Sequence, residues 1–222
     1  MNTFKIIKEN KNPQVLIVTP LLPGHKISKE TSRTIKKTKT PIFWLSSCGD
    51  NNIPINARLG VDWYKKNYGK LPPYYIMIDR DIIANKGMID KLVRKLRESE
   101  DEKVAYAYAS FEFKGYINIK FTASKFDIKK LLNNNYISSN SLIKSSIIEE
   151  IDFVTDEKYK RLLDWAYWLK LLKNDYIGVP CPESVFIAQS KPEDVSAGSV
   201  SDFNTKRNRV VQDFVLPMLK TS

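Results

Sequence analysis

The sequence predicts an α/β protein built around a parallel, Rossmann-like sheet. Three observations carry that reading. Short, continuous apolar runs recur in the first half of the chain, each is followed by a segment of helical character, and the runs end in loop-forming or acidic residues.

Val15-Leu16-Ile17-Val18, ending at Thr19-Pro20, reads as a buried parallel strand, because a strand covered on both faces need not alternate. A loop with Pro23 and Gly24 precedes a polar helix from about Lys29 to Lys39. Ile42-Phe43-Trp44-Leu45 is the second buried strand, and its exit, Ser46 to Asn52, is rich in turn formers. Ile55 to Asn67 reads as a helix with Pro54 just before it, and Tyr74 to Ile78 as a third strand ending at Asp79-Arg80-Asp81. A helix from Met88 to Ser99 follows, with Asn85 as its cap.

The second half is predicted to be less regular. Val104 to Phe113 forms a strand that Lys114-Gly115 turns into a hairpin with Tyr116 to Phe121. A short helix near Phe126 to Asn133 leads to a strand around Ser139 to Ile143. Leu162 to Leu172 is an apolar helix carrying Trp165 and Trp168, and Ser184 to Ala188 is a late strand. Gln189 to Asp202 reads as a mobile loop, either a lid or a plain surface loop, and Lys206 to Lys220 as an amphipathic helix. In sheets of this kind ligands bind beyond the C-terminal strand ends, so the first three exits should converge on one crevice.

The bulk numbers bound the function. The chain has 222 residues, suiting one domain, and a net charge of +11 that favours phosphate-bearing partners. The lysines are dispersed, without a basic tail or an interleaved aromatic stripe, so no nucleic-acid partner is expected. Cys48 and Cys181 form no CxxC pair, which speaks against zinc and makes a reducing, cytoplasmic setting the default. The polar, lysine-rich start is not a secretory leader, and no apolar run spans a bilayer, so any membrane contact would be peripheral. No GxxxxGK[ST] or GxGxxG pattern occurs, which disfavours a P-loop enzyme and an ordinary nicotinamide dehydrogenase.

Two features carry chemistry. Asp79 and Asp81 are separated by one residue directly after a buried strand, a D-x-D arrangement that can hold Mg2+ or Mn2+ and bridge it to phosphate oxygens. The bland alternative is a solvated turn. Phosphatases that use a first Asp as nucleophile place such a motif after the first strand, unlike this one. Asp164, in the first turn of an apolar helix, is either a general base toward a hydroxyl or an acid that complements the helix dipole. His25, the single histidine, lies in a loop, and no catalytic triad can be assembled around it.

From Val15 to about Ala188 the sequence resembles the family-two inverting glycosyltransferases of GT-A fold. Val15 to Pro20 resembles the opening strand, and Asn56-Ala57-Arg58-Leu59-Gly60 the Ala-Arg-Asn-x-Gly helix, with Leu59 in place of Asn. Ile76 to Asp81 resembles the metal-binding strand end. Asp156-Glu157 and Leu163-Asp164-Trp165-Ala166-Tyr167-Trp168-Leu169 resemble the Phe-Asp-Glu and Glu-Asp-Trp-Asp-Leu-Trp-Leu segments.

The resemblance implies one GT-A domain around a mixed, mostly parallel sheet. It has a nucleotide-sugar half at about 14–100, an acceptor and catalytic half at about 101–188, and the loop and helix at 189–222. It further implies inverting, hexosyl-type transfer from a UDP- or GDP-sugar to a glycan, lipid-linked or protein acceptor. Asp164 is the implied base, Asp81 with Asp79 the Mn2+ or Mg2+ site, and Thr19, Pro20, Leu21, Asp50, Arg58, Asp79 and Arg80 the donor contacts. Leu163 and Thr155 replace expected residues, Ser46 to Asp50 replaces an acidic pair, and a late metal-assisting His is absent. The Gln-x-x-Arg-Trp motif of processive synthases is missing as well, so the expectation is single-sugar transfer. Two alternatives stay open: a sugar nucleotidyltransferase, and a non-catalytic basic binding protein on a degenerate scaffold.

Overall fold

A computed structural model describes residues 2–116, 118–190 and 200–220. Its centre is three parallel strands, β2 (Val15–Leu21), β3 (Ile42–Cys48) and β4 (Tyr74–Met77), with Val15 opposite both Ile42 and Tyr74. Their unbroken apolar character follows from burial on both faces. Leu16, Val18, Phe43 and Leu45 enter one core layer, while Val15, Ile17, Ile42 and Trp44 enter the other. The indole of Trp44 donates to the hydroxyl of Thr19 at 3.0 Å, pairing two fully buried polar groups.

Helices cover both faces. α1 (Lys29–Ile35) is capped by Ser28, and α2 (Ile53–Tyr68) by Asn52, with Pro54 in its first turn. α2 lies close on β2 at Gly60, where a Cβ would come within 2.6 Å of Val18 Cγ1. α1 stops at Ile35, short of the expected Lys39: Lys37 and Thr38 tighten its end by donating to Thr34 O and Ile35 O, and the groups beyond are taken by another element. Asp90 of α3 (Met88–Arg97) accepts the N–H groups of Lys39 and Thr40 at 3.3 and 2.7 Å. Asn85 does not cap α3. Gly87 precedes it in the left-handed region, while the Asn85 side chain accepts from Val185 N–H and donates to Glu183 O.

The second half continues the same sheet. β6 (Val104–Gly115) forms a hairpin with β7 (Ile119–Phe121), and α4 (Ile128–Asn133) leads to the short β8 (Leu142–Lys144). β8 lies antiparallel between β4 and β6, joining the two halves. α5 (Ser145–Glu150) and α6 (Leu163–Lys173) precede β9 (Ile177–Ser190), which runs parallel to β6. β9 is far longer than the expected Ser184–Ala188. Its pairing shifts register between Ala109 and Ser110, so Pro182 is accommodated at an irregularity. Trp165 and Trp168 of α6 are buried and donate to Leu131 O and Ile137 O at 2.7 and 3.1 Å.

Two edge strands have no counterpart in the sequence reading. β1 (Thr3–Glu9) pairs antiparallel with β3, and β5 (Ile82–Ala84) with β9. The sheet is thus mixed, in the order β1-β3-β2-β4-β8-β6-β9-β5. The chain's last helical stretch is α7 (Val200–Val210), a π turn at Val211–Val215 and α8 (Leu216–Lys220). Pro217 has no N–H to continue a regular ladder. Of the expected loop at Gln189–Asp202, Gln189 and Ser190 belong to β9 and 191–199 lie outside the described residues. No helix among the described residues is long and apolar enough to cross a membrane.

The Gly60 contact has a measurable consequence. Gly60→Ala forces α2 away from Val18 and should cost about 1–3 kcal/mol in urea unfolding; an unchanged midpoint would mean that the helix shifts without loss.

Candidate active site

The C-terminal ends of β2, β3 and β4 open onto a cavity of about 960 Å³, walled on the first-half side by Leu22, Asp50, Asn51 and Asp79. Asp164, Arg161 and Phe203 line it from the second half and from α7. The strand-end loops leave the sheet ladder, so their backbone groups need other partners. Asn56, fully buried on α2, supplies them: its amide donates to Leu21 O and Gly49 O at 2.9 Å and to Asn51 O at 3.2 Å. The cap residue Asn52 also donates to Thr155 O at 2.8 Å and to the Glu157 carboxylate at 2.7 Å, joining the loop after β3 to the second half.

Asp79 is held at two points by Asn140. Its N–H donates to Asn140 Oδ1 at 2.9 Å, and Asn140 Nδ2 donates to Asp79 Oδ2 at 2.7 Å. Burial pushes the Asp79 carboxyl up, the Asn140 hydrogen bond opposes this, and the negative charge of Asp81 adds to the rise. The two acids of D-x-D are differently placed. Residues 80–81 turn the chain into β5, and Asp81 faces Arg80 at 3.8 Å; neither lines the cavity. Among the described residues no three His, Cys, Asp or Glu side chains gather as a metal site.

Asp164 sits in the first turn of α6. Its carboxylate accepts from Asn135 Nδ2 at 3.0 Å and from Trp165 N–H at 2.8 Å. Burial nonetheless wins and pushes this carboxyl up to about 6, with the charge of Asp79 contributing in the same direction. Acids that arise 85 residues apart in sequence therefore share one electrostatic environment.

No family model matches the sequence, and no curated protein matches it either. Solved structures do. Residues 1–349 of S. aureus TarS, in complex with UDP, superpose with a TM-score of 0.60 at 12% identity, over 89% of this chain and 64% of that one. A mannosyltransferase from Pyrobaculum calidifontis, in complex with GDP-Man and Mn2+, gives 0.50 at 11% identity, over 95% of this chain and 65% of that one. The chain has a GT-A-like glycosyltransferase fold. It spans just under two thirds of the length of these two structures.

Within this GT-A-like frame the remaining sequence-selected residues fall into two groups. Asp50 is exposed at the cavity wall. Thr19, Pro20 and Leu21 are buried inside β2, which runs three residues beyond Val18, and Leu22 reaches the cavity instead. Arg58 is engaged by Asp62 at 3.0 Å and by Asp152, and it does not line the cavity. His25 is exposed and away from it. Asn56, Asn135, Asn140, Arg161 and Phe203 were not singled out from the sequence. Asn56 left a signal, an asparagine inside a helix, where that residue competes poorly unless its amide has other work. The others left none.

The Asn135 contact predicts a shift in titration. Asn135→Ala removes a bond that favours the carboxylate, so Asp164 should titrate above about 6 in carboxyl carbon NMR; an unmoved titration would exclude that role.

Proposed function

We propose that the chain is an inverting glycosyltransferase that moves a single sugar from a UDP- or GDP-sugar to an acceptor hydroxyl. One observation carries this reading: Asp79 and Asp164, from opposite halves, line one cavity, and Asp164 is pushed up to about 6. The fold likeness supports it, since one neighbour is a mannosyltransferase in complex with GDP-Man and Mn2+ and another is in complex with UDP.

In this reading the acceptor oxygen attacks the anomeric carbon from the face opposite the diphosphate. Asp164 takes the acceptor proton, and the breaking carbon–oxygen bond leaves its electron pair on the diphosphate. A base with a raised pKa is better matched to that proton than an ordinary aspartate, while remaining ionised at neutral pH. Asn135 and the Trp165 N–H hold its carboxylate in one orientation.

Asp79, the acid of the pair that lines the cavity, would hold Mn2+ or Mg2+, and Asp81 would join it on turning from Arg80. Such hard cations are commonly bound by one or two carboxylates and completed by substrate phosphates and water, so the oxygen donors present fit. When bound, the ion supplies positive charge against the diphosphate. The 14–100 half then carries the donor and the 101–188 half the acceptor; the acceptor is a glycan, lipid-linked or protein hydroxyl.

Asp164→Asn should lower transfer by about 10²–10⁴-fold while nucleoside diphosphate affinity in calorimetry with Mn2+ stays close to wild type. Unchanged turnover would remove Asp164 from the chemistry, and failure of the wild type to bind any nucleoside diphosphate would overturn the proposal. The wild-type rate should rise with pH through about 6 as Asp164 loses its proton.

The same group sets a stability signature. Folding raises Asp164 from 3.8 to about 6, so the folded chain binds the proton more tightly and stability falls as pH climbs through that window. At neutral pH Asp164→Asn should therefore melt higher than wild type; a lower melting temperature would contradict the assigned burial.

A further inference from the structure

Arg161 stands three residues before Asp164, with φ at 78°. This is the left-handed region, which glycine adopts freely and an arginine adopts only under strain. The residue lines the cavity that Asp79 and Asp164 share. Its guanidinium lies over the ring of Phe203, 5.7 Å from the centroid, and Phe203 lines the same cavity from α7. The turn that carries Arg161 is anchored to the C-terminal segment. Tyr159 donates to Asp213 at 2.6 Å, and Lys158 pairs with Asp213 at 3.2 Å. The guanidinium is planar and carries its N–H donors in a fixed fork, which suits two-point contact with phosphate oxygens.

Charge narrows the role. Asp50, Asp79, Glu157 and Asp164 all line the cavity, so a nucleoside diphosphate brings further negative charge to an already acidic wall. Among the described residues the cationic side chains lining it are Lys160 and Arg161. Lys160 is exposed and faces Glu157 at 3.8 Å, whereas Arg161 is the more buried of the two. Burial makes a cation more effective toward an anion.

We propose that Arg161 binds the diphosphate of the nucleotide-sugar donor and offsets the charge that gathers on it as the sugar departs. The assignment rests on the glycosyltransferase reading above and adds a donor-binding residue from the second half. Strain at φ 78° is retained in this account because the cation is needed at that wall.

The experiment uses the full chain and calorimetry with UDP, GDP, UMP and GMP, each with and without Mn2+, alongside thermal melting. Arg161→Gly suits the left-handed backbone, so the variant should fold and melt no lower than wild type. Its affinity for the diphosphate that binds wild type should fall on the order of tenfold or more, with a clearly smaller loss for the matching monophosphate. Arg161→Lys keeps the charge but not the planar fork and should lose an intermediate amount. Equal diphosphate affinity in wild type and Arg161→Gly overturns the assignment and leaves the glycosyltransferase reading standing. A lower melting temperature with equal losses for mono- and diphosphates also overturns it, in favour of a purely structural arginine. Binding of no nucleotide by wild type overturns the glycosyltransferase reading and this assignment with it.

Discussion

A carboxylate carried below the surface at a strand end is costly unless its oxygens are met, and the pairing of Asp79 with Asn140 is the contact around which this molecule is arranged. The two residues exchange a backbone and a side-chain hydrogen bond across 61 residues of sequence. Asn140 sits just before β8, the strand that inserts antiparallel beside β4 and carries the sheet into the second half. The bond that steadies the acid therefore also marks the seam of the fold. Leaving such a group unmet costs about 1–3 kcal/mol, a large share of a domain's net stability.

The same solution recurs around the cavity. Asn56, Asn52 and Asn135 each place a side-chain amide where the sheet ladder has ended and loop carbonyls or a carboxylate need donors. An amide is suited to this because it donates and accepts without adding charge to a site already holding several acids. The result is a set of loops and acids held in place by the scaffold. Burial raises both carboxyls, and the charge of Asp79 makes Asp164 harder to ionise, so a ligand that brings cationic charge is favoured there.

The C-terminal segment adds a wall of a different kind. α7 brings Phe203 to the cavity, and Asp213 in the π turn meets both Tyr159 and Lys158. Arg207 donates to Asn133 O at 3.0 Å, so the segment is tied to α4 as well as to the turn before α6. A helix outside the central sheet thus helps shape the cavity beside Asp164.

Sequence alone determined the parts that depend on neighbours along the chain. Runs such as Val15 to Val18 and Ile42 to Leu45 show buried strands because both faces are apolar, and the exits of these strands and of β4 do converge on one cavity. The apolar stretch around Trp165 and Trp168 was legible as a buried helix for the same reason. β1 and β5 were not, since one is largely solvent-facing and the other only three residues long, and each exists through hydrogen bonds to a distant strand. The D-x-D motif was legible as a strand end, but only the turn at residues 80–81 decided that Asp79 lines the cavity and Asp81 does not. Tertiary structure alone decided that Asn140 meets Asp79, that Asn135 meets Asp164, and that Arg161 reaches Phe203. Hydrophobic burial is written locally, in composition and period; a hydrogen bond or a stacked cation requires placement to within a fraction of an ångström between remote segments, and that exists only once the sheet and its covering helices have packed.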